Sequence, residues 1–238
     1  MSNGPFSAEP TGTEPAEPSV GVAVLHLFFR VAPLTDRDMV LAALKEAERA
    51  DGDQVVTAAI LGHKADVAVM GLSKDQWRLR RLQTSLVAAG LELVDSYVSL
   101  TELSEYAKGI PEEMQQARLY PQLPPEGKPA FCFYPMSKRR NVGANWYELE
   151  FDRRKELMYE HGASGRKFAG RVTQLITGST GLDDYEWGVT LFCTHPDDVK
   201  EIVYTMRYDE ASAQYGEFGP FYLGMVETPE VVLAQVGA

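Results

Sequence analysis

The order strand, helix, strand, strand, helix, strand occurs twice along this chain, and that recurrence restricts the fold more than any other feature. In the first pass, residues 20–31 form a run of branched and aromatic side chains, as a buried strand requires. Residues 34–50 have helical spacing, with Thr35 as the expected N-cap. Residues 54–61 and 65–72 read as strands joined at Gly62-His63-Lys64. Ser73 is expected to open a second helix, Gly90 punctuates it, and residues 91–100 return as a strand.

The second pass starts with a strand over 130–134 that turns at Pro135, followed by a helix over 149–160. Strands at 171–178 and 186–193, a helix over 196–206 with Pro196 in its first turn, and a strand over 218–226 complete it. The expected fold is α+β, with two tandem ferredoxin-like βαββαβ units at 20–100 and 130–238. Residues 1–19, rich in Glu-Pro pairs, Ser, Thr and Gly, read as a disordered tail. The connecting segment, 101–129, is long for a linker and carries Arg118-Leu119-Tyr120, side chains suited to anchoring.

Such units host many activities, so function has to come from particular residues. The net charge is −11, from 34 acidic against 23 basic residues, which argues against a general nucleic-acid footprint. The two cysteines, Cys132 and Cys193, lie in apolar runs outside any C-x-x-C pair, as small core residues of a reduced protein would. No apolar stretch reaches the ~18 to 20 residues of a membrane span, and the N-terminus has no secretory pattern, so the cytoplasm is the expected location.

Among the four histidines, His26 sits inside a strand, His63 in a turn and His195 at a helix start, each with an ordinary structural role available. His161 follows Glu160 at the expected end of a helix, precedes Gly162 and continues the apolar face marked by Leu157. It suits an axial ligand of haem-type iron, while spacing alone favours a buried histidine bonded to a main-chain carbonyl. With no second ligand at metal spacing, a porphyrin, which brings four nitrogens of its own, fits better than a bare ion. Tyr134 reads either as a strand aromatic or as a redox phenol. Lys138, Arg139 and Arg140 read either as a solvated run or as partners of carboxylates.

Four strings occur in order: FCFYPMSKRR, NWYEL, LMYEHGASGRKFAGRVTQLITGSTGLDDYEWGVTLF and MRYDEASAQYGEFGPFYLG. Together they resemble the coproheme decarboxylases of the chlorite dismutase-like family, over residues 20 to about 226. That resemblance implies a dimeric α+β barrel arrangement and peroxide-dependent conversion of iron-coproporphyrin III (coproheme) to haem b. Two propionates become vinyls through a tyrosyl radical. It implies His161 as the iron ligand, Tyr134 as the radical-forming tyrosine and Lys138 beside a reactive propionate. Arg118, Tyr120 and Met136 correspond to the wall around the propionates, and Arg207 and Ser212 to the contacts of those retained. Gln174 falls where chlorite dismutases carry a distal arginine, which disfavours chlorite chemistry. The segment before Arg118 lacks the distal histidine of some actinobacterial relatives, leaving the peroxide-activating base unassigned. A homopentamer and transient contact with a ferrochelatase follow from family analogy alone.

Overall fold

The computed structural model describes residues 14–107 and 109–238. Residues 1–13 of the expected tail lie outside the described residues. The first unit comprises β1 (Ala23–Arg30), α1 (Arg37–Ala47), β2 (Gln54–Ile60), β3 (Val67–Ser73), α2 (Gln76–Ala88) and β4 (Glu92–Thr101). A helix α3 (Glu112–Leu119) stands in the connecting segment. Then come β5 (Ala130–Lys138), a short hairpin β6 (Arg140–Asn141) and β7 (Ala144–Asn145), and α4 (Phe151–Arg166). The chain continues through β8 (Val172–Gly178), β9 (Trp187–Cys193), α5 (Pro196–Met206) and a single turn α6 (Glu210–Ala213). It ends with β10 (Gly216–Phe218), β11 (Tyr222–Val226) and α7 (Pro229–Val236).

Both repeats have the strand order of a ferredoxin-like unit, β4-β1-β3-β2 and β11-β5-β9-β8. They join edge to edge, β11 on β2 and β4 on β8, so the antiparallel sheet closes into an eight-stranded ring with β10 beside the end of β5. Closure pairs the outer strands of each half and removes open edges.

Strand alternation sends side chains to two different cores. Val24 and Phe28 point into the barrel, where they meet Phe131, Phe133, Phe192 and Tyr222. Ala23, Leu25, Leu27 and Phe29 point out, under Leu44 of α1, Leu82 and Leu86 of α2 and Leu233 of α7. Both faces of β1 are therefore apolar, and the strand reads as a continuous run instead of an alternating one. A third core lies between the outer face of the second half and α5, where Tyr134, Leu191 and Ile202 meet. Burying a phenylalanine such as Phe131 stabilises the fold by roughly 2–3 kcal/mol.

Several local expectations are corrected. Asp36, not Thr35, caps α1 by accepting the Met39 N–H, while the Thr35 hydroxyl donates to the Gly90 carbonyl. Asp75 caps α2, and the Ser73 hydroxyl accepts from the Asp75 N–H. Gly90 does end α2, at φ 90°, where a Cβ would lie 2.6 Å from the Leu34 carbonyl oxygen. The strand at 130–134 does not turn at Pro135 but continues to Lys138. Proline is tolerated because its missing N–H falls where the neighbouring strand changes: β11 pairs as far as Phe133 and β10 begins at Met136.

The helix carrying His161 also departs from expectation, running through Gly162 and Gly165 to Arg166. Both ends of this helix are held from outside. Arg153 makes a two-point contact with Glu210 at 2.7 and 2.8 Å, and Ser164 donates to Asp209 at 2.7 Å. A Cβ on Gly165 would lie 3.7 Å from the Met206 methyl, an ordinary packing distance against α5. Tertiary packing overrides the local preference of glycine to end a helix. The terminal helix α7 answers no expectation from the sequence. Among the described residues no helix is long and apolar enough to cross a membrane.

Candidate functional site

Continuation of β5 beyond Pro135 decides the geometry. Tyr134, Met136 and Lys138 alternate onto one outward face of the strand. Across the ladder, Cys132 pairs with Leu191, which pairs with Gln174, so Gln174 shares that outward face two strands away. Gln174 and Ile176 are exposed there, leaving polar and apolar surface side by side.

Tyr134 is buried, stacked on Phe221 at 4.5 Å between ring centroids and tilted against Phe218 at 5.9 Å. Burial, with a smaller contribution from Cys132, pushes the phenol above its ordinary value, so it stays protonated at neutral pH. Its hydroxyl makes no hydrogen bond to a described residue and is not sealed from solvent. Lys138 is 7% exposed. Its ammonium donates to the Ala211 carbonyl at 2.7 Å and lies 4.5 Å from the Trp146 ring centroid. Burial lowers its pKa to about 8, against an opposing pull from Glu186.

His161 lies mid-helix on α4 and is half-buried. Its Nδ1 is 3.2 Å from Asp209 Oδ2 and 3.4 Å from the Ser212 hydroxyl. The Asp209 contact is at ion-pair distance without hydrogen-bond alignment, so Oδ2 remains buried with no hydrogen bond, while Oδ1 accepts from Ser164. His161 and Ser164 are three residues apart on one helix, so the same face of α4 clasps the carboxylate from two points. Burial first, and then the Lys138 charge, lower the imidazole pKa, while Asp209 opposes them. A neutral ring with Nδ1 turned to a carboxylate leaves the Nε2 lone pair for a ligand bond.

The donor set fits a porphyrin iron. Among the described residues no group of three or more His, Cys, Asp or Glu could hold a bare metal ion, whereas a macrocycle needs one such histidine. His161 would hold the iron, and the β5 face with Lys138 offers a phenol and a cation.

The remaining sequence-derived residues are placed separately. Ser212 sits against the imidazole, and Met136 is half-buried two residues beyond Tyr134. Arg207 follows α5 and is exposed, and Arg118 is exposed in the last turn of α3; among the described residues neither has an ion pair. The Tyr120 hydroxyl accepts from the Gly21 N–H at 3.3 Å, and Lys74 lies 5.6 Å from its ring. The Thr101 hydroxyl donates to the Leu119 carbonyl, which anchors this end of α3 where β4 meets β8. No described contact joins Arg118 or Tyr120 to Tyr134, Lys138 or His161. His26 is a core residue: Nε2 meets Thr190 at 2.9 Å, Nδ1 has no partner, and burial lowers its pKa to about 3. The buried thiols of Cys132 and Cys193 are free. Sequence reasoning missed Asp209, Ser164, Trp146 and Glu186; all four stand within the quoted strings, yet nothing local reveals what they touch.

The chlorite dismutase family model matches residues 37–227. The chain belongs to the chlorite dismutase family. Within reach of that family, a coproheme decarboxylase of Staphylococcus carnosus is 41% identical, over 93% of this chain and 97% of its own length. A heme-binding protein from Thermus thermophilus is 37% identical at a TM-score of 0.81, covering 97% of this chain and 99% of that one. A mutant chlorite dismutase from Candidatus Nitrospira defluvii superposes at a TM-score of 0.74 with 19% identity, over 93% of this chain and 98% of that one. The last likeness establishes the fold alone.

Proposed function

We propose that this chain converts coproheme to haem b by oxidative decarboxylation of two propionates with hydrogen peroxide. The observation that carries the reading is the shared face of β5, which aligns a buried tyrosine with a free hydroxyl and a buried lysine. The 41% identical coproheme decarboxylase supports it, as does the imidazole held through Nδ1.

Coproheme is both substrate and redox centre, and supplies the iron at which peroxide is reduced. His161 ligates that iron, and Asp209 with Ser212 fixes the ring orientation. Tyr134 gives up its phenolic hydrogen, and the resulting radical takes a hydrogen atom from a propionate β-carbon, restoring the phenol. Loss of a second electron releases carbon dioxide and leaves a vinyl group. For each propionate, one carboxylate, one peroxide and one proton give one vinyl, one carbon dioxide and two waters. Lys138 orients a reactive propionate through a charge-assisted hydrogen bond. Arg118, Tyr120, Met136 and Gln174 line the approach, and Arg207 with Ser212 receives the retained propionates. Residues 130–238 are thus the haem-binding unit.

Family resemblance extends the reading to a cytoplasmic homopentamer that meets a ferrochelatase transiently; sedimentation would test the assembly. The chemistry is tested by loading the protein with coproheme, titrating with peroxide and weighing the porphyrin. Loss of two carboxyl groups is expected. A ligand unchanged in mass would leave a haem carrier as the function, and oxygen evolution from chlorite would indicate dismutation.

A further inference from the structure

Lys138, Arg139 and Arg140 leave β5 as three successive cations, and the structure assigns them different surroundings. Arg140 turns back: its guanidinium lies 5.3 Å from the Tyr147 ring centroid and its Nη2 donates to Glu186 Oε1 at 2.5 Å. Arg139 is fixed through its backbone, donating to the Tyr215 carbonyl at 2.8 Å and accepting from the Trp146 N–H at 2.9 Å. Lys138 alone is buried, on the strand face that alternation gives it in common with Tyr134, and its ammonium meets Ala211 and Trp146.

Glu186 produces this sorting. It is 4% exposed, and its Oε2 accepts the Lys138 N–H at 2.8 Å while Oε1 takes Arg140. Burial first, and then this carboxylate, push the Tyr147 phenol above its ordinary range. Glu186 is itself anchored, donating its N–H to the Met136 carbonyl at 3.1 Å and accepting the Ser179 N–H at 2.8 Å. The carboxylate therefore fixes the main chain at Lys138 and removes the neighbouring arginine from the ligand face. An ammonium has three N–H donors, and the Ala211 carbonyl occupies one while the Trp146 face lies nearby. Donor capacity remains for an anion.

We propose that Glu186 is a positioning residue that makes Lys138 the substrate-facing cation and thereby sets the preference for coproheme, with four carboxylates, over haem b, with two. This rests on the reading of Lys138 as a propionate partner. The charge of Glu186 also keeps the buried ammonium protonated, opposing burial. The other charged groups around Lys138 are Arg140 on β6, His161 on α4 and Asp209 at the head of α6.

The test compares Kd values of coproheme and haem b by Soret titration from pH 6 to pH 9, for the parent, Glu186→Gln, Glu186→Asp and Lys138→Met. Loss of a charge-assisted contact predicts that Glu186→Gln weakens coproheme binding about tenfold or more, with haem b within about twofold. Its high-pH binding limb should move to lower pH, and Glu186→Asp should recover most of the preference. Adding Glu186→Gln to Lys138→Met should lower the coproheme preference no further. A parallel fall in both affinities, or an additive double variant, would overturn the proposal by showing a general structural role. If Glu186→Gln does not fold, recovery of most of the coproheme preference in Glu186→Asp remains the required result, and its absence counts against the proposal. Porphyrin mass after peroxide, measured on the parent, reports separately whether the decarboxylase reading itself fails.

Discussion

The Nδ1 atom of His161 lies 3.2 Å from Oδ2 of Asp209, a carboxylate whose other oxygen is bonded to Ser164 on the same helix as the imidazole. Helix α4 thus presents a ring whose rotation is restricted before any ligand arrives. Asp209→Asn keeps the Ser164 contact and removes the charge. It should weaken haem affinity by about 10- to 100-fold in a Soret titration, with little change in melting temperature. His161→Ala should abolish axial ligation and leave the melt nearly unchanged. Equal affinity in Asp209→Asn and parent would show that the carboxylate does not support the ligand.

The Tyr134 hydroxyl has no described hydrogen-bond partner, so Tyr134→Phe removes only an unpaired hydroxyl and retains the stack on Phe221. Stability should change by less than about 1 kcal/mol in a denaturant titration. Coproheme should still bind, and decarboxylation followed by porphyrin mass should fall to background. Two carboxyl losses at the parent rate in this variant would remove Tyr134 from the mechanism.

Lys138 has a folded-state pKa of about 8, below the ordinary 10.5, because burial disfavours its charge. A carboxylate ligand binds the protonated form, so coproheme affinity should be flat below pH 8 and decline above it. Without ligand the sign is opposite: the unfolded chain binds more protons between pH 8 and 10.5, so this group adds stability as pH rises through that window. Lys138→Met should lose the binding limb near pH 8, which a pH series of Soret titrations would detect. A limb surviving the substitution belongs to another group.

His26 is held neutral inside the barrel, its pKa lowered by burial from 6.5 to about 3. Its contribution is complete above pH 6.5. As pH falls from there toward 3, the unfolded chain gains a proton that the folded one refuses, costing up to about 1.4 kcal/mol per pH unit. In His26→Gln the urea midpoint should fall less between pH 7 and pH 4 than in the parent. Identical losses would assign the acid sensitivity to carboxylates instead.

Much of the fold was legible because burial leaves a periodic trace. The apolar runs of β1, β5 and β9 mark strands covered on both faces, and the helix at Pro196–Met206 has the expected bounds. Gly162 and Pro135 misled for the same reason: local propensity is weak against tertiary contact. Gly162 lies within a helix held by Asp209 and Glu210, and Pro135 in a strand whose neighbour is interrupted beside it.

Residue chemistry and order along the chain were set by sequence alone: two βαββαβ passes, a tyrosine and lysine four positions apart, and an isolated histidine near Gly162. Tertiary structure decided which groups meet. Asp209 reaches His161 across 48 residues, Ala211 meets Lys138 across 73, and Glu186 separates Lys138 from Arg140 across 48 and 46. Such contacts leave no local periodicity, because they arise only when the closed sheet and the packing of α6 on α4 bring distant segments together.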